Sequence, residues 1–164
     1  MKLFRISLTA LFAGILLSGC GPGSSSDNRS APPAAPADQR SQDFGSHVLH
    51  FNALSTDQLQ PAVAQQYGIV RSKNRAMLNI SIVKKVEGTA GQPVPGTVSA
   101  TASNLTGQLK TISLREIKDG GAVYYIADLP VANGETLKFD IAATPADSQG
   151  EAFRVSFNQE FYAD

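Results

Sequence analysis

Apolar and polar residues alternate along most of the chain after residue 43, and a period of two is the mark of a strand with one buried face. The alternation is clearest where Leu137, Phe139, Ile141 and Ala143 fall on one side and Lys138, Asp140 and Thr144 on the other. Phe153, Val155 and Phe157 repeat the pattern against Arg154, Ser156 and Asn158, and it continues through Phe161. Leu78, Ile80 and Ile82 face away from Asn79 and Ser81, and Val98, Ala100 and Ala102 away from Ser99, Thr101 and Ser103. Weaker strand patterns occupy 44–51, 109–117 and 122–129. Turn-forming residues separate these runs: a Gly/Pro stretch at 88–96, Asn104 to Gly107, Asp119-Gly120-Gly121, Asn133-Gly134 and 145–150. One helix is predicted near 56–67, with Ser55 or Thr56 as cap or Pro61 in the first turn, and Gly68 as a left-handed stop. These elements predict an all-β fold, an immunoglobulin-like antiparallel β-sandwich of about seven strands with one short helix; a closed barrel is the alternative.

The first residues read differently. Lys2 and Arg5 precede an apolar run at 6–17. As a helix this run would span ~18 Å against a hydrocarbon core of ~30 Å, so it fits a secretory signal and not a membrane span. It ends in Leu17-Ser18-Gly19-Cys20, which resembles the bacterial lipoprotein box. The resemblance implies cleavage before Cys20 and lipidation of its thiol, with two or three acyl chains holding the protein at the bilayer. Gly21 after the cysteine implies sorting to the outer membrane of a Gram-negative bacterium, on its periplasmic side. Residues 21–43 contain Gly, Ser, Pro and polar side chains and lack large apolar ones, the composition of a disordered tether. The expected organisation is a signal peptide at 1–19, a lipidated Cys20 with its tether at 20–43, and a sandwich domain at 44–164.

Composition narrows the function. The 164 residues include 14 basic and 14 acidic side chains, and loss of Lys2 and Arg5 with the signal leaves the mature chain slightly acidic, which argues against a nucleic-acid partner. A single cysteine excludes an internal disulfide. There is no phosphate-binding glycine loop, no nucleophile elbow and no metalloprotease His pair, so no enzymatic activity and no cofactor is expected.

Further stretches carry a family resemblance: His47 through Ala53, Ala62 through Ile69 with Arg71, Ser72, Lys73, Asn74 and Arg75, then Leu78-Asn79-Ile80, Leu114 through Ile117, Tyr124 through Ala127 and Phe157 through Tyr162. Over most of 44–164 the chain resembles a family of uncharacterised proteobacterial envelope proteins, a domain of unknown function. That resemblance implies a secreted β-sandwich without known activity. The lipoprotein box and tether depart from the ordinary signal peptides of many such proteins.

Candidate chemistry is sparse. His47 and His50 are the only histidines, and with Met77 they supply the imidazole and thioether ligands that suit copper. Three residues apart on a strand, the histidines face opposite ways. Arg71, Lys73 and Arg75, with Asn74, form the most basic segment, a candidate anion or partner site. Tyr124 and Tyr125 are adjacent, so one points outward as a candidate contact aromatic. Glu116 with Arg115, and Glu160 with Arg154, read as surface ion pairs. The expected protein is a lipid-anchored periplasmic binding or accessory module acting on another envelope protein; the alternative is a periplasmic copper-binding protein.

Overall fold

The computed structural model describes residues 40–150 and 152–163. The signal segment, Cys20 and all but the last residues of the expected tether lie outside them. The elements are β1 (Ser41–Asp43), β2 (His47–Ser55), a 3-10 turn (Thr56–Gln58), α1 (Pro61–Gln66), β3 (Arg75–Lys84), β4 (Gln92–Pro93), β5 (Gly96–Asn104), β6 (Leu109–Lys110), β7 (Arg115–Asp119), β8 (Ala122–Pro130), β9 (Glu135–Pro145) and β10 (Phe153–Phe161). They form two antiparallel sheets, ordered β1-β2-β3-β8-β7, with β4 also on β3, and β10-β9-β5-β6. The all-β sandwich read from the alternation is therefore the fold.

Each strong alternation turns the face it named toward the core, although Val98, Ala100 and Phe153 are only partly buried there. Leu49, Phe51, Ala53, Leu78, Ile80 and Ile82 of the first sheet meet Leu137, Phe139, Ile141, Val155, Phe157 and Phe161 of the second. Phe157 is the hub, with its ring centroid 5.0 Å from Phe139 beside it and 5.0 Å from Phe51 across the sandwich. Each such ring contributes about 1.5–3 kcal/mol by leaving water.

Among the described residues ten strands form where about seven were expected. The run at 109–117 divides: β6 pairs with β5 in one sheet, β7 pairs with β8 in the other, and Ile112 and Leu114 pack against the core between them. The predicted strand at 44–51 starts later, as β2 at His47, because Gly45, at φ 82°, turns the chain back; an additional strand precedes it, in which Ser41, Gln42 and Asp43 pair with His50, Leu49 and Val48. The folded domain thus begins at β1, inside the segment read as tether. The helix is shorter than expected. Pro61 takes its first turn and Gly68 ends it with φ 62°, while Ser55 makes no side-chain cap bond. Thr56, fully buried, instead bonds Val70 O at 2.9 Å, Ser72 O at 3.0 Å and Ser72 N at 2.9 Å, pinning the loop that follows the helix.

Tyr125 joins the sheets at one corner. Its hydroxyl accepts the Gly96 N–H at 2.8 Å and lies 2.9 Å from both Gly96 O and Glu116 Oε2. Gly96 has no room for a side chain, since a Cβ there would sit 2.4 Å from Thr144 O and 2.8 Å from Ile82 Cδ1. Tyr125→Phe is expected to cost about 1–3 kcal/mol by stranding the Gly96 amide. Gly96→Ala should cost at least as much through overpacking against rigid backbone. Urea denaturation of the two variants checks this; an unchanged midpoint for both would mean the corner bears no load.

Candidate functional site

Alternation fails on the outward face of the first sheet, where a strand exposed on that side should be polar. In β3, Ala76, Met77 and Leu78 are all buried, and so are Tyr125, Ile126 and Ala127 of β8. Met77 and Ile126 point away from the main core, into a second apolar cluster with Ala64 of α1 and Ile69. The helix lies on this face for that reason: its apolar side has Met77 and Ile126 to cover. Six residues are too few to cover the whole patch.

What remains open is a groove of about 220 Å³ lined by Val63 and Tyr67, Met77 and Asn79, Ile117, Tyr124 and Ile126. That is below the ~300–1,000 Å³ of small-molecule sites and suits one apolar side chain or a short segment. Tyr67 closes one side, donating from its hydroxyl to Asp119 Oδ2 at 3.0 Å, where Gln66 Nε2 also bonds at 2.9 Å. Burial, and then the neighbouring Asp119 carboxylate, hold the Tyr67 hydroxyl above its ordinary pKa, so it remains a donor. In the floor, the Asn79 Oδ1 is buried without a hydrogen-bond partner. An apolar wall around an unmet acceptor is the chemistry of a site for a group that is apolar and carries one N–H or O–H.

The structure brings two sequence candidates, Met77 and Tyr124, into this groove. Tyr125 is corrected: the parity of β8 turns it into the core, where it is 6% exposed. His50 shares the outward face but pairs with Ser81, whereas Met77 pairs with Leu54, four residues along β2. His47 faces the core. Among the described residues no three His, Cys, Asp or Glu side chains are grouped to hold a metal ion. The basic segment is spent within the fold: Arg71 donates to Asp57 O at 2.6 Å, and Arg75 pairs with Asp128. Asn74 bonds Ser72 Oγ through its amide, and its carbonyl takes the Val131 N–H; Lys73 is exposed. Glu116 pairs with Lys118 at 2.9 Å, while Arg115 reaches Tyr67 O.

His47 sits in a hydrogen-bonded chain. Its Nδ1 is 2.9 Å from Ser46 Oγ, its Nε2 is 3.0 Å from Asp147 Oδ1, and Lys84 Nζ donates to Asp147 Oδ2 at 2.7 Å. The chain contains the residue types of a hydrolytic triad, but Ser46 immediately precedes the histidine and Lys84 neutralises the carboxylate. Its evident work is to fasten the loop after β9 to β2 and β3. The hydrogen bond from Lys84, and then that from His47, hold the Asp147 carboxyl below its usual pKa, although desolvation works against them.

The fold and the groove define a small antiparallel sandwich module with a lateral, side-chain-sized apolar site. The chain belongs to the family described as domain of unknown function (DUF4426), whose model matches residues 41–164. It is similar to a DUF4426 family protein from Pseudomonas aeruginosa, at 33% identity and TM-score 0.63, over 76% of this chain and 94% of that one. It is also similar in fold to FetP of uropathogenic Escherichia coli strain F11, at 19% identity and TM-score 0.53, over 76% of this chain and 93% of FetP. A copper-bound FetP variant matches with the same identity and TM-score. No curated protein matches the chain.

A lowered carboxyl stabilises the fold fully above the ordinary carboxylate pKa of about 4, and that contribution is lost as pH falls through the lower folded-state value. Asp147→Asn should therefore leave a shallower loss of stability below about pH 4 than the wild type shows. Melting curves across the acid range check it; parallel acid limbs would show that Asp147 is not coupled to folding.

Proposed function

We propose that this protein is a non-catalytic binding module of the bacterial envelope, anchored by lipid on Cys20 at the periplasmic side of the outer membrane. In this reading its groove takes an apolar side chain of another envelope protein, with Tyr67, Tyr124 and Met77 as walls. The observation that carries it is the Asn79 oxygen, buried in the groove floor without a partner. Native proteins rarely retain an unmet buried acceptor, because it costs about 1–3 kcal/mol. A bound donor would remove that cost, which ties occupancy of the groove to stability. In this reading the residues between Cys20 and β1 serve as the tether, and a flexible chain of about 20 residues reaches ~22–27 Å, enough to meet a membrane-embedded partner.

Asn79→Leu separates binding from folding. It is expected to stabilise the isolated protein by about 1 kcal/mol, because an unmet acceptor is replaced by an apolar group. The same change should abolish a discrete photo-cross-link formed in intact cells from an aromatic photoprobe at position 124. Destabilisation by Asn79→Leu, or a cross-link indifferent to it, would refute the groove as the binding site. The anchor has its own check: Cys20→Ser should eliminate incorporation of labelled palmitate and release the protein from the membrane fraction.

A second reading, copper binding through His47, His50 or Met77, is favoured by the copper-bound FetP variant that shares this fold. The two readings part on titration. Copper binding tighter than about micromolar, lost in Met77→Leu yet kept in Asn79→Leu, would support the metal site over the groove. The dispersal of the imidazoles over opposite faces of β2 favours absence of such binding.

A further inference from the structure

Edge strands are ordinarily blunted, because their unpaired backbone groups invite another strand. Most edges here obey that rule. β1 has three residues, and β7 carries Arg115, Glu116, Lys118 and Asp119 in five positions. On the free side of β5, the Tyr125 hydroxyl occupies the Gly96 backbone and β6 pairs near the end. β10 is different. It is nine residues long, contains no proline or glycine, pairs on one side with β9 over its whole length, and ends the second sheet.

Its two charges stand symmetrically. Arg154 and Glu160 lie three positions either side of Phe157, both exposed on the outward face, with Ser156 and Asn158 between them. Arg154 has no ion-pair partner among the described residues, while the Glu160 carboxylate bonds the exposed Tyr162 hydroxyl and the Glu160 carbonyl accepts from Gln159 Nε2 at 2.8 Å. Beneath the strand, Phe44 stacks on Phe153 at 4.3 Å and Arg40 bonds Gln159 at 2.8 Å, so the inner side is closed, while the backbone edge carries no strand and is capped at one carbonyl, Glu160 O, by Gln159 Nε2.

We propose that β10 pairs with β10 of a second copy of this chain, antiparallel and centred on Phe157, joining the two four-stranded sheets into one. This register sets Arg154 of each copy opposite Glu160 of the other, and Ser156 opposite Asn158. Opposite charges face each other twice on the solvent side, and Phe153 and Phe161 meet on the inner side. Parallel in-register pairing would set Arg154 on Arg154 and Glu160 on Glu160, and cross-strand like charges disfavour it. The twofold axis makes the contact closed, so it stops at a dimer.

Charge reversal tests the register as well as the contact. Sedimentation of the full chain in density-matched detergent should give a dimer. Arg154→Glu or Glu160→Arg alone sets like charges opposite each other twice and should weaken it by about tenfold or more. The double exchange restores opposite pairs and should restore the dimer. Both substituted positions carry exposed side chains, and equal melting temperatures serve as the folding control. A wild-type chain that sediments as a monomer, single variants that remain as dimeric as wild type, or a double exchange that stays monomeric would each overturn the proposal.

Discussion

Phe157 touches Phe139 within its own sheet and Phe51 across the sandwich, and these ring contacts set both the spacing and the register of the two sheets. Because side chains alternate with period two, a slip of one residue in β9 or β10 would bring Lys138, Asp140 and Arg154 inward and turn the phenylalanines out. The penalty for that exchange locks every neighbouring strand: β9 positions β5, and Phe51 positions β2 and hence β3. All later features of the molecule follow from which residues this lock leaves facing outward.

One outward face is left with the wrong chemistry for water. Met77, Ile126, Ile117 and Tyr124 lie on it because the inward positions of β3 and β8 are already taken by Leu78, Ile80, Tyr125 and Ala127. The six-residue helix covers part of this patch, and Asn79 lies where the cover ends. Several other buried polar groups are met by long-range bonds, although Arg40 Nη1, Asp57 Oδ1 and Arg75 Nε are, like Asn79 Oδ1, buried without a partner. Thr56 holds the loop at residues 70–72, the Tyr125 hydroxyl answers Gly96, and Asp147 and Ser46 bracket His47. Of these four unmet atoms, Asn79 Oδ1 is the one whose residue lines the apolar groove.

The main strands were legible because their alternation runs for seven or more residues, long enough for period two to be unmistakable in Leu137 through Ala143 or Phe153 through Phe161. β4 and β6, with two residues each, have no period to read, and β1 is a polar Ser-Gln-Asp that becomes a strand only because β2 offers it an edge. The groove was half legible. The runs Ala76-Met77-Leu78 and Tyr125-Ile126-Ala127 break alternation, and continuous apolar residues in a strand signal burial on both faces. Choosing Tyr124 over Tyr125 as the outward ring needed only the parity of β8. The unmet Asn79 acceptor was not legible at all, because satisfaction is a property of surroundings that no spacing encodes.

Groove and free edge lie at different places in the sandwich, and that separation has a mechanical meaning. β10 sits over β2, at the β1 end of the first sheet, whereas the groove opens near β8 and β7 at the other end. A second copy joined through β10 therefore covers neither groove, and the pair presents two identical sites. Two sites on one such dimer would turn a second capture into an intramolecular event, so that weak side-chain-sized contacts would gain through effective concentration what their small area cannot supply. The same symmetry that closes the β10 contact would thus make the groove useful to a partner that is itself repeated or symmetric.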